Sequence, residues 1–415
     1  MTKDIFVFAD FYNQGKPEYV GTLNVQILRG KEVFSFQYAK DWLSNGKPFL
    51  DPDLQYFEGS QYPMSDKLNF GLFMDSSPDR WGRTVMKRKE AIMAKLEQRK
   101  PNVLLESDFL LGVFDGYRQG ALRFKLDFNG SFLNDDLKLT APPITSLRTL
   151  EYAVEQMEDE SLPNNEQQLE WLNLLLAPGS SLGGARPKAG VVNTDGALWI
   201  AKFPSKYDEV NNAAWEMLAI KLAEKCGLHI SESMLLPLTK SNKSCFLTKR
   251  FDRQGENRIH FASAMTLLGY TDGNNESSGV SYLEIAEFIS SYSFSPEIDL
   301  KELWKRIVFS ILVKNTDDHL RNHGFLLKKE GWVLSPAYDL NPNPNGLGLS
   351  LNVNENSNAL DLDLALEVSD YFRLTQSEGN QIIKDVQDIL KDWRSVAIKL
   401  GINRNEQEQL ATIFE

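Results

Sequence analysis

Short apolar runs separated by polar turns open the chain. Residues 5–10, 19–27 and 32–38 have the strand-like pattern of a half-buried sheet. Asn13-Gln14-Gly15-Lys16-Pro17 and Arg29-Gly30-Lys31 separate them with turn-forming residues. Residues 80–98 then carry helix formers; Asp75, Ser76 and Ser77 are candidate N-caps, and Pro78 suits a first turn. The run Pro78-Asp79-Arg80-Trp81-Gly82-Arg83 is either a charged binding edge or a solvated helix start with its Trp tucked in. Residues 110–115 and 120–126 predict a second strand pair, and residues 130–145, with Asp135-Asp136 and Pro142-Pro143, a linker.

Residues 147–158 and 166–176 switch to the amphipathic period of a helix. A Gly-rich basic stretch follows, Pro178-Gly179-Ser180-Ser181-Leu182-Gly183-Gly184-Ala185-Arg186-Pro187-Lys188. Gly183 and Gly184 let a backbone turn its N–H groups toward a phosphate, and Arg186 and Lys188 add charge; a plain flexible loop is the alternative. It is not a Walker A motif. Residues 190–193 and 197–203 predict a hairpin around Thr194-Asp195-Gly196, with Lys202 near its end. A Lys there is what a kinase uses on the α/β-phosphates, or else an edge-strand charge that blunts aggregation. Residues 212–225 predict a helix ending at Gly227; Glu216 is either the acid that pairs with Lys202 or a first-turn Glu answering the helix dipole. Residues 244–252, with Lys249 and Phe251, form a strand entering a charged turn, the place of the adenine-reading hinge in a strand–Lys–helix–strand order.

Predicted helices at 282–291 and 300–313 deliver a polar loop, Lys314-Asn315-Thr316-Asp317-Asp318-His319-Leu320-Arg321-Asn322-His323-Gly324. Two apolar runs around Gly331 then make a hairpin that ends at Asp339. Asn322 lies five residues after Asp317, the spacing of a kinase catalytic loop, in which the Asp accepts the acceptor hydroxyl's proton and the Asn holds Mg²⁺. Asp339 falls where kinases place their other metal carboxylate. Oxygen donors suit a hard cation that neutralises charge on phosphates. A hydrolytic metal site on Asp-Asp-His, and a polar turn whose Asp and Asn cap backbone groups, are the competing readings. Asp318 takes no catalytic role, since the spacing fits Asp317. Asn341-Pro342-Asn343-Pro344-Asn345-Gly346 interrupts regular structure, and residues 376–400 and 405–413 predict a helical tail.

Composition narrows the class further. At 415 residues the chain has room for two or three domains and a sizeable core. Its 42% hydrophobic and 25% charged residues fit a soluble globular protein. A net charge of −12 argues against nucleic-acid binding by the surface as a whole. Cys226 and Cys245 are isolated, which excludes a disulfide framework and suits a reducing cytoplasm. Acids interrupt the first ten residues too soon for a signal peptide, and no apolar run approaches the roughly 20 residues of a membrane helix. The expectation is a cytoplasmic protein with no membrane association.

Several motifs, in this order, resemble the HipA family of serine/threonine kinases, toxins of bacterial toxin–antitoxin pairs. They are Asp75-Ser76 with Pro78-Asp79 and Gly82-Arg83; Gly120-Ala121-Leu122-Arg123-Phe124; residues 181–188; Lys249-Arg250-Phe251-Asp252-Arg253; Asp317, His319 and Asn322; and Pro336 with Tyr338-Asp339. The resemblance covers nearly the whole chain. It implies an α+β, two-lobed, distantly protein-kinase-like fold with an extra N-terminal subdomain (1–130), an N-lobe part (131–255) and a mostly helical C-lobe (256–415). It implies Asp317 as catalytic base, Asn322 and Asp339 as Mg²⁺ ligands, and Lys202 on the phosphates of ATP. Gly183, Gly184, Arg186 and Lys188 would belong to the phosphate loop. Ser181, or its neighbour Ser180, would be the autophosphorylation site. The implied partners are a protein substrate, with an aminoacyl-tRNA synthetase among the family's targets, and a separately encoded HipB-type DNA-binding antitoxin through which alone DNA is reached. A small-molecule kinase on the same scaffold and a catalytically weak scaffold are the alternatives.

Overall fold

The computed structural model describes residues 2–11, 15–44, 48–64, 66–158, 166–176, 184–238 and 243–414. Its contacts divide the chain into two compact units. One comprises residues 1–206, 249–262 and 269–271, and the other residues 207–248, 263–268 and 272–415.

The first unit opens with β1 (Thr2–Ala9), β2 (Glu18–Leu28) and β3 (Lys31–Tyr38), an antiparallel meander. Period-two patterning places Val7, Leu23, Phe34 and Phe36 in its core. Helix α1 (Arg80–Leu96) begins at Asp79, whose Oδ1 accepts from the Gly82 amide at 2.9 Å, so the cap is Asp79 rather than the three residues upstream. Trp81 is buried and donates from Nε1 to the Lys188 carbonyl at 2.9 Å, which settles that run as a helix start with its Trp tucked in.

The expected strand at 110–115 is instead a short helix, Glu106–Gly112, followed by a single 3₁₀ turn. Glu106 and Asp108 favour its first turn, the Asp108 carboxylate accepts from the Leu105 amide, and Phe109 and Leu110 are buried. Strand β4 (Leu122–Lys125) therefore pairs with β1, closing the sheet in the order β3-β2-β1-β4.

Gly120 lies just before β4 with φ +70°, and a Cβ there would stand 3.1 Å from the Phe261 amide nitrogen and 3.2 Å from His260 Nδ1. Its own amide donates to Asp252 Oδ2 at 2.8 Å. Asp252 is buried with Arg250 (2.6 Å) and Arg253 (2.8 Å). Burial alone pushes its carboxyl up, but the two guanidiniums outweigh that and hold it well below the usual range. Arg118, also buried, donates to the carbonyls of Ser76, Leu110, Val113 and Leu133. Buried charges are tolerated when partnered, here by two guanidiniums at Asp252 and by four carbonyls at Arg118.

Helices α2 (Leu147–Glu158) and α3 (Glu166–Leu176) form as expected, with Tyr152 edge-on to Trp171. The hairpin β5 (Lys188–Val192) and β6 (Leu198–Lys202) brings Lys188 opposite Lys202 in register.

The second unit opens with α4 (Asn212–Lys225), capped by the Asn211 side chain. It continues with the hairpin β7 (Ser233–Pro237) and β8 (Ser244–Lys249), whose last residue belongs to the first unit. Helices α5 (Tyr282–Tyr292) and α6 (Pro296–Leu312) pack together, and α6 is buried along much of its length through Leu300, Leu303, Trp304, Ile307 and Val308. Hairpin β9 (Gly324–Leu327) and β10 (Trp332–Leu334) follows, with Phe325 opposite Leu334. The tail is α7 (Gln376–Leu390), α8 (Trp393–Lys399) and α9 (Arg404–Phe414). Among the described residues no helix is long and apolar enough to cross a membrane.

Candidate functional site

The loop between α6 and β9 is built by its own side chains. Its first residues continue the helix end, with the Asn315 amide donating to the Ser310 carbonyl at 2.9 Å. Asn315 is buried, and its Oδ1 accepts from the Asn341 amide at 3.0 Å, which ties the loop to the segment after β10. Thr316 is held from the same side: its carbonyl accepts from Ser350 Oγ (2.8 Å) and its hydroxyl from Asn343 Nδ2 (2.9 Å). Tyr338 OH donates to the Arg321 carbonyl at 2.6 Å. The loop and the Asp339 segment thus form one hydrogen-bonded piece.

Within that piece, Asp317 is exposed, while Asn322 is 4% exposed. Asn322 Nδ2 donates to the Asp317 carbonyl at 2.9 Å, which turns the amide so that its other end is an acceptor. That acceptor, Oδ1, is buried with no hydrogen-bond partner in the structure. A buried amide oxygen left in this state is costly unless something fills it. Asp339 is half-buried, takes φ +59°, a left-handed conformation uncommon outside glycine, and accepts from Asn341 Nδ2 at 3.1 Å. Among the described residues no three His, Cys, Asp or Glu side chains gather into a metal cluster. Amide and carboxylate oxygens such as these are donor types that a hard cation accepts, with most of its shell left to water and substrate oxygens.

Asp318, next to the exposed Asp317, is 3% exposed. It accepts from Tyr282 OH (2.7 Å) and Ser310 Oγ (3.3 Å). Its other oxygen stands 3.1 Å from His323 Nε2, at an angle short of a hydrogen bond. Burial pushes the Asp318 carboxyl up, yet His323 and the Tyr282 hydroxyl outweigh it and hold the group below the usual carboxylate range. Burial, with Asp318 beside it, pushes the Tyr282 hydroxyl well up. Nothing in the local sequence signals this network, because Tyr282 lies 36 residues from Asp318.

The other expected residues fall in both units. Lys202 ends β6 and Phe251 packs near Phe261, ring centroids 6.1 Å apart, in the first unit with Lys249. Glu216 is buried on α4 of the second. Arg186 is exposed, and Gly184 takes φ +99°. Lys188 is 3% exposed, with Nζ 3.0 Å from Asp79 Oδ2. Ser180, Ser181 and Gly183 lie outside the described residues.

The model of the HipA-like C-terminal domain matches residues 180–393, just over half of the chain. The chain belongs to the HipA-like family. The HipA of Shewanella oneidensis, solved with HipB and its operator DNA, has the same fold over 99% of this chain and 96% of that one, with a TM-score of 0.63 at 15% identity. Among curated proteins, one of Haemophilus influenzae named as a candidate kinase is 25% identical over 197 residues, 43% of this chain and 57% of that protein. One of Sinorhizobium fredii with a similar name is 29% identical over 157 residues, 35% of this chain and 37% of that protein. The chain therefore matches 37% to 57% of the length of these relatives.

Proposed function

We propose that this HipA-like chain is an ATP- and Mg²⁺-dependent serine/threonine protein kinase. The observation that carries the proposal is the Asp317–Asn322 pair: an exposed carboxylate, and beside it a buried amide oxygen turned away from the protein's own donors. The names of the curated relatives support the same reaction class.

In this reading Asp317 accepts the proton of a serine or threonine hydroxyl as that oxygen attacks the γ-phosphorus, and ADP leaves. Its exposure suits the role, since a base must reach the acceptor. Asn322 Oδ1 and the Asp339 carboxylate would hold Mg²⁺, which when bound supplies charge neutralisation on the phosphates. Lys202 and the cations of the Gly-rich stretch, Arg186 among them, bind the phosphates, and the backbone around Lys249 and Phe251 meets the adenine. The protein contributes mainly positioning and charge. Ser181 is the proposed autophosphorylation site.

Incubating the pure chain with γ-labelled ATP and a cell lysate tests the acceptor class. A discrete labelled protein band is the expected result; label confined to small molecules would replace the protein acceptor with a small one.

The proposed setting is that of a growth-arresting toxin with a HipB-type partner, supported by the HipB and operator DNA in the Shewanella oneidensis complex. A net charge of −12 disfavours the phosphate contacts that supply most non-specific DNA affinity. Gel-shift titration of the isolated chain should show no binding at physiological salt, and tight salt-sensitive binding would remove the need for the partner.

A further inference from the structure

Two adjacent carboxylates in the loop have opposite surroundings: Asp317 is exposed and Asp318 is buried. Two ties cross the loop side by side, each joining a residue to the one five positions on. One runs from Asn322 Nδ2 to the Asp317 carbonyl, and the other sets His323 Nε2 against Asp318 Oδ1. The stretch they span holds a three-residue 3₁₀ turn, Leu320–Asn322, with Leu320 buried. The second tie is itself anchored outside the loop. Asp318 Oδ2 takes Tyr282 OH from the first turn of α5 and Ser310 Oγ from the last turns of α6, and Ser310 Oγ also accepts from Asn315 Nδ2 at 3.3 Å. His323 stacks edge-on to the Tyr282 ring, centroids 5.6 Å apart, and its carbonyl accepts from the Ala264 amide at 2.7 Å.

We propose that Asp318 is the positioning residue of the phosphotransfer loop, its buried carboxylate clamping both ends of the turn to α5 and α6 so that Asp317 and Asn322 are presented together. The inference deepens the kinase reading and rests on it for its catalytic consequence. Asp317 follows a pinned backbone on one side and precedes Asp318 on the other, so its backbone is held from both directions. Asn322 is caught between its bond to Asp317 and His323, which lies against Asp318 and the Tyr282 ring and is held by the Ala264 amide. A buried carboxylate suits this task because it accepts several bonds at once, and a charged acceptor makes each of them stronger. Reacting groups displaced by about 1 Å lose on the order of 10²-fold in rate.

The test compares wild type with Asp318→Asn and Tyr282→Phe, the latter removing one hydroxyl and leaving the ring packed. Steady-state phosphoryl transfer is measured alongside amide hydrogen exchange. The expected result is a kcat lower by about 10²-fold in Asp318→Asn, with KM for Mg-ATP within about twofold. Exchange should be faster at the His319 and Asn322 amides and unchanged in β1–β3. Tyr282→Phe should show the same pattern, smaller. Unchanged loop exchange in both variants overturns the clamp, whether or not the wild type transfers phosphate. Faster exchange spread through the whole chain, with activity falling in proportion, would make Asp318 a general stabiliser and overturn the positioning role. A wild type without phosphoryl transfer overturns the kinase reading separately, and the clamp is then judged on exchange.

Discussion

Asn322 gives its side-chain nitrogen to the Asp317 carbonyl, 2.9 Å away, and keeps its oxygen buried and without a hydrogen-bond partner. One amide thus both closes the loop and offers a donor atom for a cation.

Removing that oxygen should therefore weaken Mg-ATP binding more than folding. In a thermal-shift titration, Asn322→Ala and Asp339→Asn should lose most of the stabilisation that Mg-ATP gives the wild type, a term that grows as RT ln(1 + [L]/Kd). Without nucleotide, Asp339→Asn should melt within a few degrees of wild type. Full Mg-ATP stabilisation in both variants would place the cation elsewhere.

Two buried groups, His260 and Asp51, should contribute to the pH dependence of stability with opposite sign. Burial lowers His260 to about 3, so it folds neutral; its stabilisation is present above its ordinary 6.5 and is lost as pH falls toward 3. Burial raises Asp51 to about 7, so it folds protonated; its stabilisation is full below about 4 and is lost as pH rises through 7. Between pH 4 and 6.5 each changes stability by about 1.4 kcal/mol per pH unit, in opposite directions. Denaturant titrations across that window should show stability rising with pH in Asp51→Asn and falling with pH in His260→Phe, relative to wild type. Profiles parallel to wild type in both variants would mean that neither group is desolvated as the fold implies.

Much of the site was legible because it is local. The 314–324 loop, the hairpin after it and Asp339 follow from turn chemistry and apolar runs in one continuous stretch, and the structure has all of them. What was not legible depends on partners far along the chain. Spacing to Asn322 picks Asp317 over Asp318 but says nothing of what Asp318 does; its burial and its bonds come from Tyr282 and Ser310. Lys188 is 109 residues from Asp79, so no local pattern announces their pair. Residues 110–115 misled because a short apolar run, here ending at Phe114, suits a strand or a buried helix end equally; Glu106 and Asp108 just upstream tip it to helix. Gly120-Ala121-Leu122-Arg123-Phe124 shows its reason only in three dimensions, where the Gly120 amide meets Asp252 132 residues on.

Ser181 should carry one phosphate after incubation with Mg-ATP. A phosphoserine adds about −1.5 to −2 charges and three strong acceptors to the Gly-rich basic stretch, where it competes with the phosphates of ATP for the same groups. Intact mass spectrometry should show one added phosphate in wild type and none in Ser181→Ala, and the phosphorylated form should bind ATP poorly. Equal phosphorylation of Ser181→Ala would move the site, with Ser180 next in line.

The central claim is that Asp317 is the base of a phosphoryl transfer. The most direct measurement follows label from γ-labelled ATP into protein for wild type and Asp317→Asn side by side, with nucleotide binding measured on the same samples. Asp317→Asn keeps the backbone carbonyl that holds Asn322 and removes the proton acceptor, so ATP should still bind while transfer falls by about 10²–10⁴-fold. Transfer by Asp317→Asn within a few-fold of wild type would contradict the account.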